Sequence, residues 1–182
     1  MLNIILIAIA VIVVLFIVIV ATRPSDFRVT RTGRLSAPAD VVFANVNNLH
    51  NWDAWSPWAK MDPNCKNSFS GPESGPGASM TWSGNNKVGE GRMTIMDIKP
   101  NEVIHMKLEF LRPMKATNMT EFLFKADGNQ TTVTWNMSGK NNFVGKAFRM
   151  IINCDKMIGR DFEKGLANLD SASRAMKEIG NV

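Results

Sequence analysis

The sequence predicts an α+β protein: an antiparallel sheet covered on one face by a long C-terminal helix and preceded by one transmembrane helix. Three patterns predict this class. Residues 4–21 are all apolar, residues 78–139 alternate apolar and polar side chains between turn residues, and residues 143–179 show a helical period. An alternating sheet has one dry face, and a long amphipathic helix can cover it.

The composition is that of one soluble domain joined to an apolar segment. The chain has 182 residues, with 21 Lys and Arg against 16 Asp and Glu, and the first charged side chain is Arg23. Charges of both signs are well mixed after that point, which excludes a disordered or low-complexity chain. Cys65 and Cys154 are too few for a disulfide scaffold, because a domain of this size buries its own core.

The segment Leu2 to Ala21 is about 30 Å long as a helix, which matches the hydrocarbon thickness of a bilayer. The alternative is a cleaved signal peptide, which requires a basic start, a shorter apolar stretch and a cleavage site of small residues. No Lys or Arg precedes the segment, the stretch is too long, and residues 19–22 make a poor cleavage site. We therefore expect an uncleaved anchor over residues 1–23 and a soluble domain over residues 24–182.

Four arginines follow the anchor closely: Arg23, Arg28, Arg31 and Arg34. The positive-inside rule then places the domain of this single-pass protein in the cytoplasm. A competing interpretation is that the last three are basic because they lie on the solvated face of a strand. Two cysteines without an evident partner agree with a reducing compartment.

The domain begins with a strand and a short helix. Residues 27–35 alternate with a period of two, which predicts the strand. Pro38 then stands where a first helical residue belongs, Asp40 falls in the first turn, and apolar residues from Val42 to Leu49 follow at helical spacing. We expect this helix to end near residues 50–52.

Residues 52–79 are rich in turn residues and contain three tryptophans, Trp52, Trp55 and Trp58. A short strand is expected around Ser68. Because Pro57 interrupts the helical spacing, the three indoles are not expected to share one core, and at least one should remain exposed.

Five better strands follow, separated by Gly, Asn, Asp and Pro turn residues. They are predicted at Ala78–Ser83, Glu90–Ile98, Val103–Leu111, Thr117–Ala126 and Thr131–Gly139. The short turns make consecutive strands antiparallel neighbours in a meander. Polar residues such as Lys107, Glu109 and Glu121 mark the wet face.

From Phe143 to Ile179 the period is helical, with charged residues between the apolar positions. This predicts one long amphipathic helix with a break near Asn153 or Gly159. Asp155, Asp161 and Glu163 suggest acid/base chemistry, but their spacing favours a solvated face.

The sequence contains no recognisable motif for nucleotide or metal chemistry. His50 and His105 stand 55 positions apart, no Cys or His pair has metal-ligand spacing, and no phosphate-binding or nucleophile motif occurs. We therefore expect no metal, no cofactor and no catalytic residue. The scattered basic residues do not indicate nucleic-acid binding, and attraction to anionic lipid headgroups explains the charge more simply.

The dry face is rich in methionine and aromatic residues, which either pack the core or line a cavity for an apolar ligand. The candidate ligand-binding residues are Trp55, Trp58, Met80, Trp82, Met93, Ile95, Met106, Leu108, Phe110, Phe122, Phe124, Trp135, Met137, Met157 and Phe162.

The order of elements resembles the helix-grip fold of the START-like superfamily, also called SRPBCC or polyketide cyclase-like. The segments that carry the resemblance, chiefly to bacterial membrane-anchored members, are residues 51–63, 77–84, 89–91, 132–139 and 157–166. The resemblance covers nearly all of residues 27–170. It implies a curved sheet wrapped around the C-terminal helix, a ligand cavity between them, and location in a bacterial inner membrane.

The leading expectation is a membrane-anchored, non-catalytic protein that holds a hydrophobic small molecule or lipid in this cavity. Alternatives are a cyclase or aromatase-like enzyme, for which Asn136 or Ser138 would be the polar group inside the pocket, and a protein-interaction module built on the tryptophan loop. No protein partner is identified. The resemblance places Trp55 or Trp58 at the pocket rim, whereas the simpler interpretation is that this loop caps one end of the sheet.

Overall fold

The computed structural model describes residues 1–179 and has the expected α+β architecture. The helices are α1 (Leu2–Thr22), α2 (Ala39–Asn47), the single turn α3 (Trp52–Trp55), α4 (Phe143–Ile151) and α5 (Cys154–Ile179). The strands are β1 (Asp26–Leu35), β2 (Lys66–Ser70), β3 (Ser79–Ser83), β4 (Glu90–Lys99), β5 (Val103–Arg112), β6 (Ala116–Asp127) and β7 (Gln130–Lys140).

The seven strands form one antiparallel sheet in the order β1-β7-β6-β5-β4-β3-β2. The chain therefore crosses from one edge to the other between β1 and β2, through α2 and α3, and then returns strand by strand until β7 lies beside β1. Register shifts between β4 and β5 bend the sheet. The predicted helix-grip fold is confirmed, including the short strand around Ser68.

Helix α5 lies across the inner face of the sheet, which we define as the face that carries Met106, Phe122 and Trp135. A Cβ atom on Gly165 would lie 2.7 Å from the Trp135 ring and 3.2 Å from Pro57, so glycine permits this close approach. Polar contacts hold the helix in place. Asn168 Nδ2 donates to the Trp55 carbonyl at 3.2 Å, and Asp170 Oδ1 accepts from the Ser36 amide at 2.6 Å.

The structure shifts some predicted helix boundaries. Pro38 precedes α2 instead of opening it, and α2 ends at Asn47, after which residues 49–51 form a short 3-10 turn. The predicted C-terminal helix is broken near Asn153, one of the two expected places. The Asn153 side chain accepts from the Lys156 amide at 2.9 Å and caps α5, as expected for a polar residue at a helix start.

Helix α1 stands apart from the domain core. It is long and apolar enough to cross a membrane, with a mean hydropathy of 3.8 over its most apolar stretch, and a signal sequence near an N-terminus has the same properties. Val20 is its single buried residue. The helix therefore adds little to the core of the domain.

The isolation of α1 predicts that residues 24–182 fold without it. The thermal midpoint of the truncated chain should lie within about 4 °C of the full-length value, because removing α1 uncovers little apolar surface of the domain, worth about 1 kcal/mol. Circular dichroism of both proteins in the same detergent measures this difference. A truncated chain that aggregates or lacks a cooperative transition would contradict the prediction.

Candidate ligand-binding site

The inner face is built of rows of side chains that oppose one another across neighbouring strands. One central row contains Ile95, Met106, Thr120, Met137 and Val29, and each of these residues is buried. The next row contains Met80, Met93, Leu108, Asn118 and Phe27, and its members at β3, β5 and β1 are only half-buried. Burial therefore declines from the centre of the face toward one end.

We call this end the open end and define it by Met80, Trp82, Leu108 and Phe110. All four are apolar, belong to strands β3 and β5 on either side of β4, and are half-buried. The Trp82 and Phe110 rings meet edge to face at 5.8 Å. They pack on the core but remain partly accessible, so an apolar ligand can contact them.

Aromatic side chains fill the centre of the inner face. The rings of Trp135 on β7 and Phe162 on α5 stack in parallel with centroids 4.0 Å apart, and Phe122 stacks on Trp135 from β6 at 4.8 Å. Trp55 and Trp58 approach Trp135 edge to face at 5.8 and 5.9 Å. At this position side chains occupy the predicted space between sheet and helix.

The tryptophan loop is more buried than expected. Trp52 and Trp55 share one face of α3, and their indole nitrogens donate to the carbonyls of Val46 and Asn45. Trp58 is half-buried, because the buried Pro57 packs on Gly165 and turns the chain back toward α5. The prediction that one indole would remain exposed is wrong. Of the two residues predicted for the rim, Trp55 lies in the core, and the position of Trp58 at a pocket rim stays a prediction.

The other candidate residues divide by burial. Buried are Met93, Ile95, Met106, Phe122, Phe124, Trp135, Met137 and Phe162. Half-buried are Trp58 and the four residues of the open end. Met157 is 49% exposed, so its predicted inward position is wrong. Ile158, one position further along α5 and one turn before Phe162, takes the inward position instead.

Three polar groups on the inner face were not predicted from the sequence. Thr120 Oγ1 and Trp135 Nε1 are buried without a hydrogen-bond partner, and the nearest partner of Asn118 Nδ2 is the Met137 sulfur at 3.9 Å. Asn118 lies directly opposite Leu108 of the open end. A buried polar group without a partner costs about 1–3 kcal/mol, so a ligand that satisfied one would gain affinity. Residues 118 and 120 lie four and two positions before Phe122 on the same strand. This alternation, which continues to Phe124, could have placed them on the inner face.

Asn136 and Ser138, the predicted polar residues of an enzyme pocket, lie on the outer face. Both alternate with the inward Trp135 and Met137. The Asn136 amide accepts from Thr30 Oγ1 at 2.7 Å and donates to Glu121 at 2.8 Å. Their expected role inside the pocket is therefore wrong.

The outer-face network continues from Glu121 to His105, whose Nε2 lies 3.0 Å from the carboxylate and whose Nδ1 lies 2.7 Å from Asp97. The hydrogen bond to Asp97 raises the pKa of His105, partial burial opposes it, and Glu121 adds to the rise. The network thus links strands β1, β7, β6, β5 and β4. It belongs to the sheet and not to the inner face.

Arg31 carries charge on the inner side of β1, opposite Trp135. Its guanidinium lies 2.8 Å from Glu163 and 3.2 Å from Asp155, both on α5. Gly159 leaves the space that the guanidinium occupies. Asp155 and Glu163 are therefore ion-pair partners that hold the helix to the sheet, and not only the solvated residues that their spacing indicated.

Other chemistry is sparse in residues 1–179. These residues contain no group of three or more His, Cys, Asp or Glu side chains arranged to hold a metal ion. Burial raises the pKa of the Cys65 thiol and Asp62 adds to the effect, which keeps it in its protonated, weakly nucleophilic form.

Two surface hollows lie away from the aromatic side chains around Trp135. One, of about 360 Å³, lies beside His50 and Phe69, and the other, of about 470 Å³, lies between Arg23 and Arg149.

The comparisons with known proteins agree with this geometry. A family model described as polyketide cyclase / dehydrase and lipid transport matches residues 26–174. Curated protein sequences give no match.

Several solved structures are similar in fold. A protein of Mesorhizobium loti is 13% identical with a TM-score of 0.58, over 80% of this chain and 96% of its own. A protein of Arthrobacter aurescens is 11% identical with a TM-score of 0.58, over 81% and 86%. The aromatase/cyclase Zhui from a Streptomyces species is 16% identical with a TM-score of 0.56, over 82% and 94%. At these identities the likeness shows the fold alone.

Burial predicts different roles for two tryptophans of the loop. Trp55→Ala should lower the free energy of unfolding by about 3–5 kcal/mol, because it empties a fully buried site and removes a hydrogen bond. Trp58→Ala is the matched variant and should cost less, since that side chain is only half-buried. Urea unfolding of both variants gives the comparison, and equal losses would contradict it.

Proposed function

Because the chain belongs to the polyketide cyclase / dehydrase and lipid transport family, we propose that it is a membrane-anchored protein that binds a hydrophobic small molecule or lipid at the inner face of its sheet. Residues 1–23 are the proposed anchor and residues 24–182 the proposed binding domain. The family assignment agrees with the START-like resemblance of the sequence. The ligand, the membrane and the cytoplasmic side are parts of the proposal.

The observation that supports binding most directly is the open end. Of the four half-buried apolar side chains there, Leu108 lies directly opposite the buried Asn118, and Thr120 with its unpartnered hydroxyl lies one inward position further along β6. A ligand covering this surface gains about 2.5 kcal/mol for each 100 Å² of apolar area removed from water. One polar atom of the ligand can satisfy Asn118 or Thr120 and fix its orientation.

The closed centre limits where a ligand lies. The rings of Trp135 and Phe162 stack directly on each other, so no ligand group fits between them. We therefore propose that the ligand lies at the open end. Its main contacts there are Met80, Trp82, Leu108 and Phe110. The buried candidates form the floor beneath it. Tethering to a membrane would keep this surface near ligands that partition into lipid.

A cyclase-like enzyme is the second candidate, and the unpartnered Thr120 hydroxyl and Trp135 N–H are the observations in its favour, because both can donate to a carbonyl oxygen. Proton transfer also needs a titratable group. Arg31, the charged residue opposite Trp135 on the inner face, is already paired with Asp155 and Glu163. The interaction-module alternative loses its main support because Trp52 and Trp55 are buried.

Native mass spectrometry of the detergent-purified full chain tests the binding proposal. The wild type should carry a copurifying apolar molecule. Leu108→Glu should lower the occupied fraction at least about tenfold, because a carboxylate at the open end must lose water when an apolar ligand binds. Leu123→Glu is the matched control, since Leu123 lies on the outer face of β6 and is 36% exposed.

Circular dichroism shows whether both variants fold, and Leu108→Ser is a milder substitution at the same position. An empty wild-type protein would overturn the binding proposal. Equal occupancy in folded Leu108 and Leu123 variants would overturn the assignment to the open end.

The membrane part of the proposal predicts the side on which the domain lies. Because Arg23, Arg28, Arg31 and Arg34 all follow α1, a reporter fused after Val182 should be active only in the cytoplasm. Paired fusions to a fluorescent protein and to alkaline phosphatase give opposite signals on the two sides. Phosphatase activity from the full chain would overturn the orientation.

A further inference from the structure

Helix α4 presents its apolar side chains away from the domain. Phe143, Val144, Phe148 and Ile151 are exposed on this side, Ile151 at 83% and Val144 at 57%, and Met150 is exposed at its edge. None of the residues of α4 is buried. An amphipathic helix in a soluble domain normally turns its apolar side to the core, so this orientation is inverted.

The polar side of α4 faces the domain and the end of α1. Lys146 is half-buried, and its Nζ donates to the carbonyl of Ala21 in the last turn of α1 at 3.3 Å. The Arg149 guanidinium lies 5.6 Å from the centre of the Phe27 ring. These contacts place α4 at the level where α1 would leave a bilayer.

A surface hollow of about 470 Å³ separates α4 from the start of the domain. It is lined by Arg23, Pro24, Asp26, Lys146, Arg149 and Met150. Three cations against one carboxylate make it electropositive. Its charge complements a phosphate group, and its place at the end of α1 is the depth of lipid headgroups.

We propose that α4 lies flat on the membrane that holds α1, with its apolar side toward the acyl chains and the hollow around Arg23 and Arg149 on an anionic lipid headgroup. This inference rests on the membrane anchor of the proposed function. Interfacial helices of this kind combine an apolar side buried about 5–10 Å with cations at headgroup depth. The domain is thereby held against the bilayer at two points.

A polarity-sensitive fluorophore on the full chain tests this arrangement in vesicles. The label is attached to Val144→Cys in a Cys65→Ser, Cys154→Ser background, with Val11→Cys inside α1 and Lys125→Cys on the exposed outer face of β6 as references. Lys125 lies at the end of β6 that pairs, through Thr132 of β7, with the end of β1 far from α1. Vesicles are phosphatidylcholine alone or phosphatidylcholine mixed with phosphatidylglycerol.

The fluorophore at position 144 should emit as in an apolar medium and be quenched by a lipid-borne quencher. The fluorophore at position 125 should emit as in water. Arg149→Gln should lower the ratio of buried to exposed 144 label about fivefold in the anionic vesicles, and Lys125→Gln should leave it unchanged. Phe148→Ser should lower it in both vesicle types.

The reference labels separate the two proposals. If the fluorophore at position 11 reports an apolar environment and the one at position 144 reports water, the role of α4 is overturned and the anchor remains intact. If the fluorophores at both positions report water, the anchor itself is overturned. If the fluorophore at position 144 reports an apolar environment but is not quenched by the lipid-borne quencher, a second protein surface covers α4. This result also overturns the inference.

Discussion

The contact between α5 and the sheet at Trp135 determines the rest of the inner face. The indole stacks on Phe162 at 4.0 Å, and Gly165 brings the helix backbone against the same ring. Trp55 and Trp58 close around it from the loop that crosses the sheet. Helix and sheet are thus tightest in the middle, and accessible apolar surface remains where β3, β4 and β5 extend past the cluster. The proposed binding surface is a consequence of where the packing stops.

The sequence predicted the strands, the faces and the order of elements because alternation and turn residues are local properties. It could not predict the depth of each inward residue. Met93 and Met80 oppose each other on one face, yet the first is buried and the second, which lies one strand nearer the β2 edge, is half-buried. Arg31 shows the same limit, since its partners Asp155 and Glu163 lie more than 120 positions away. Met157 was misplaced by a single helical step, about 100° around α5.

The proposed binding site includes a few buried polar atoms without partners in an otherwise well-satisfied core. Most buried polar atoms have partners: Trp52 and Trp55 donate to carbonyls, and Thr131 donates to Ala37. Thr120 and Trp135, both on the inner face, and Asn47 at the end of α2 do not. Each such atom costs stability and calls for an explanation. The family assignment permits either a carrier or a cyclase.

The pairing of β1 with β7 has a consequence for the order in which the chain assembles. Asp26 leaves the apolar helix and pairs with Lys140, 114 positions later in the sequence. During synthesis β1 is made first, and its backbone N–H and C=O groups remain unpaired until β7, the last strand, has been synthesised. Closure of so long a loop is slow, and exposed strands of this kind associate with other chains. A helix already inserted in lipid would hold each nascent β1 apart from its neighbours until the last strand of its own chain arrives.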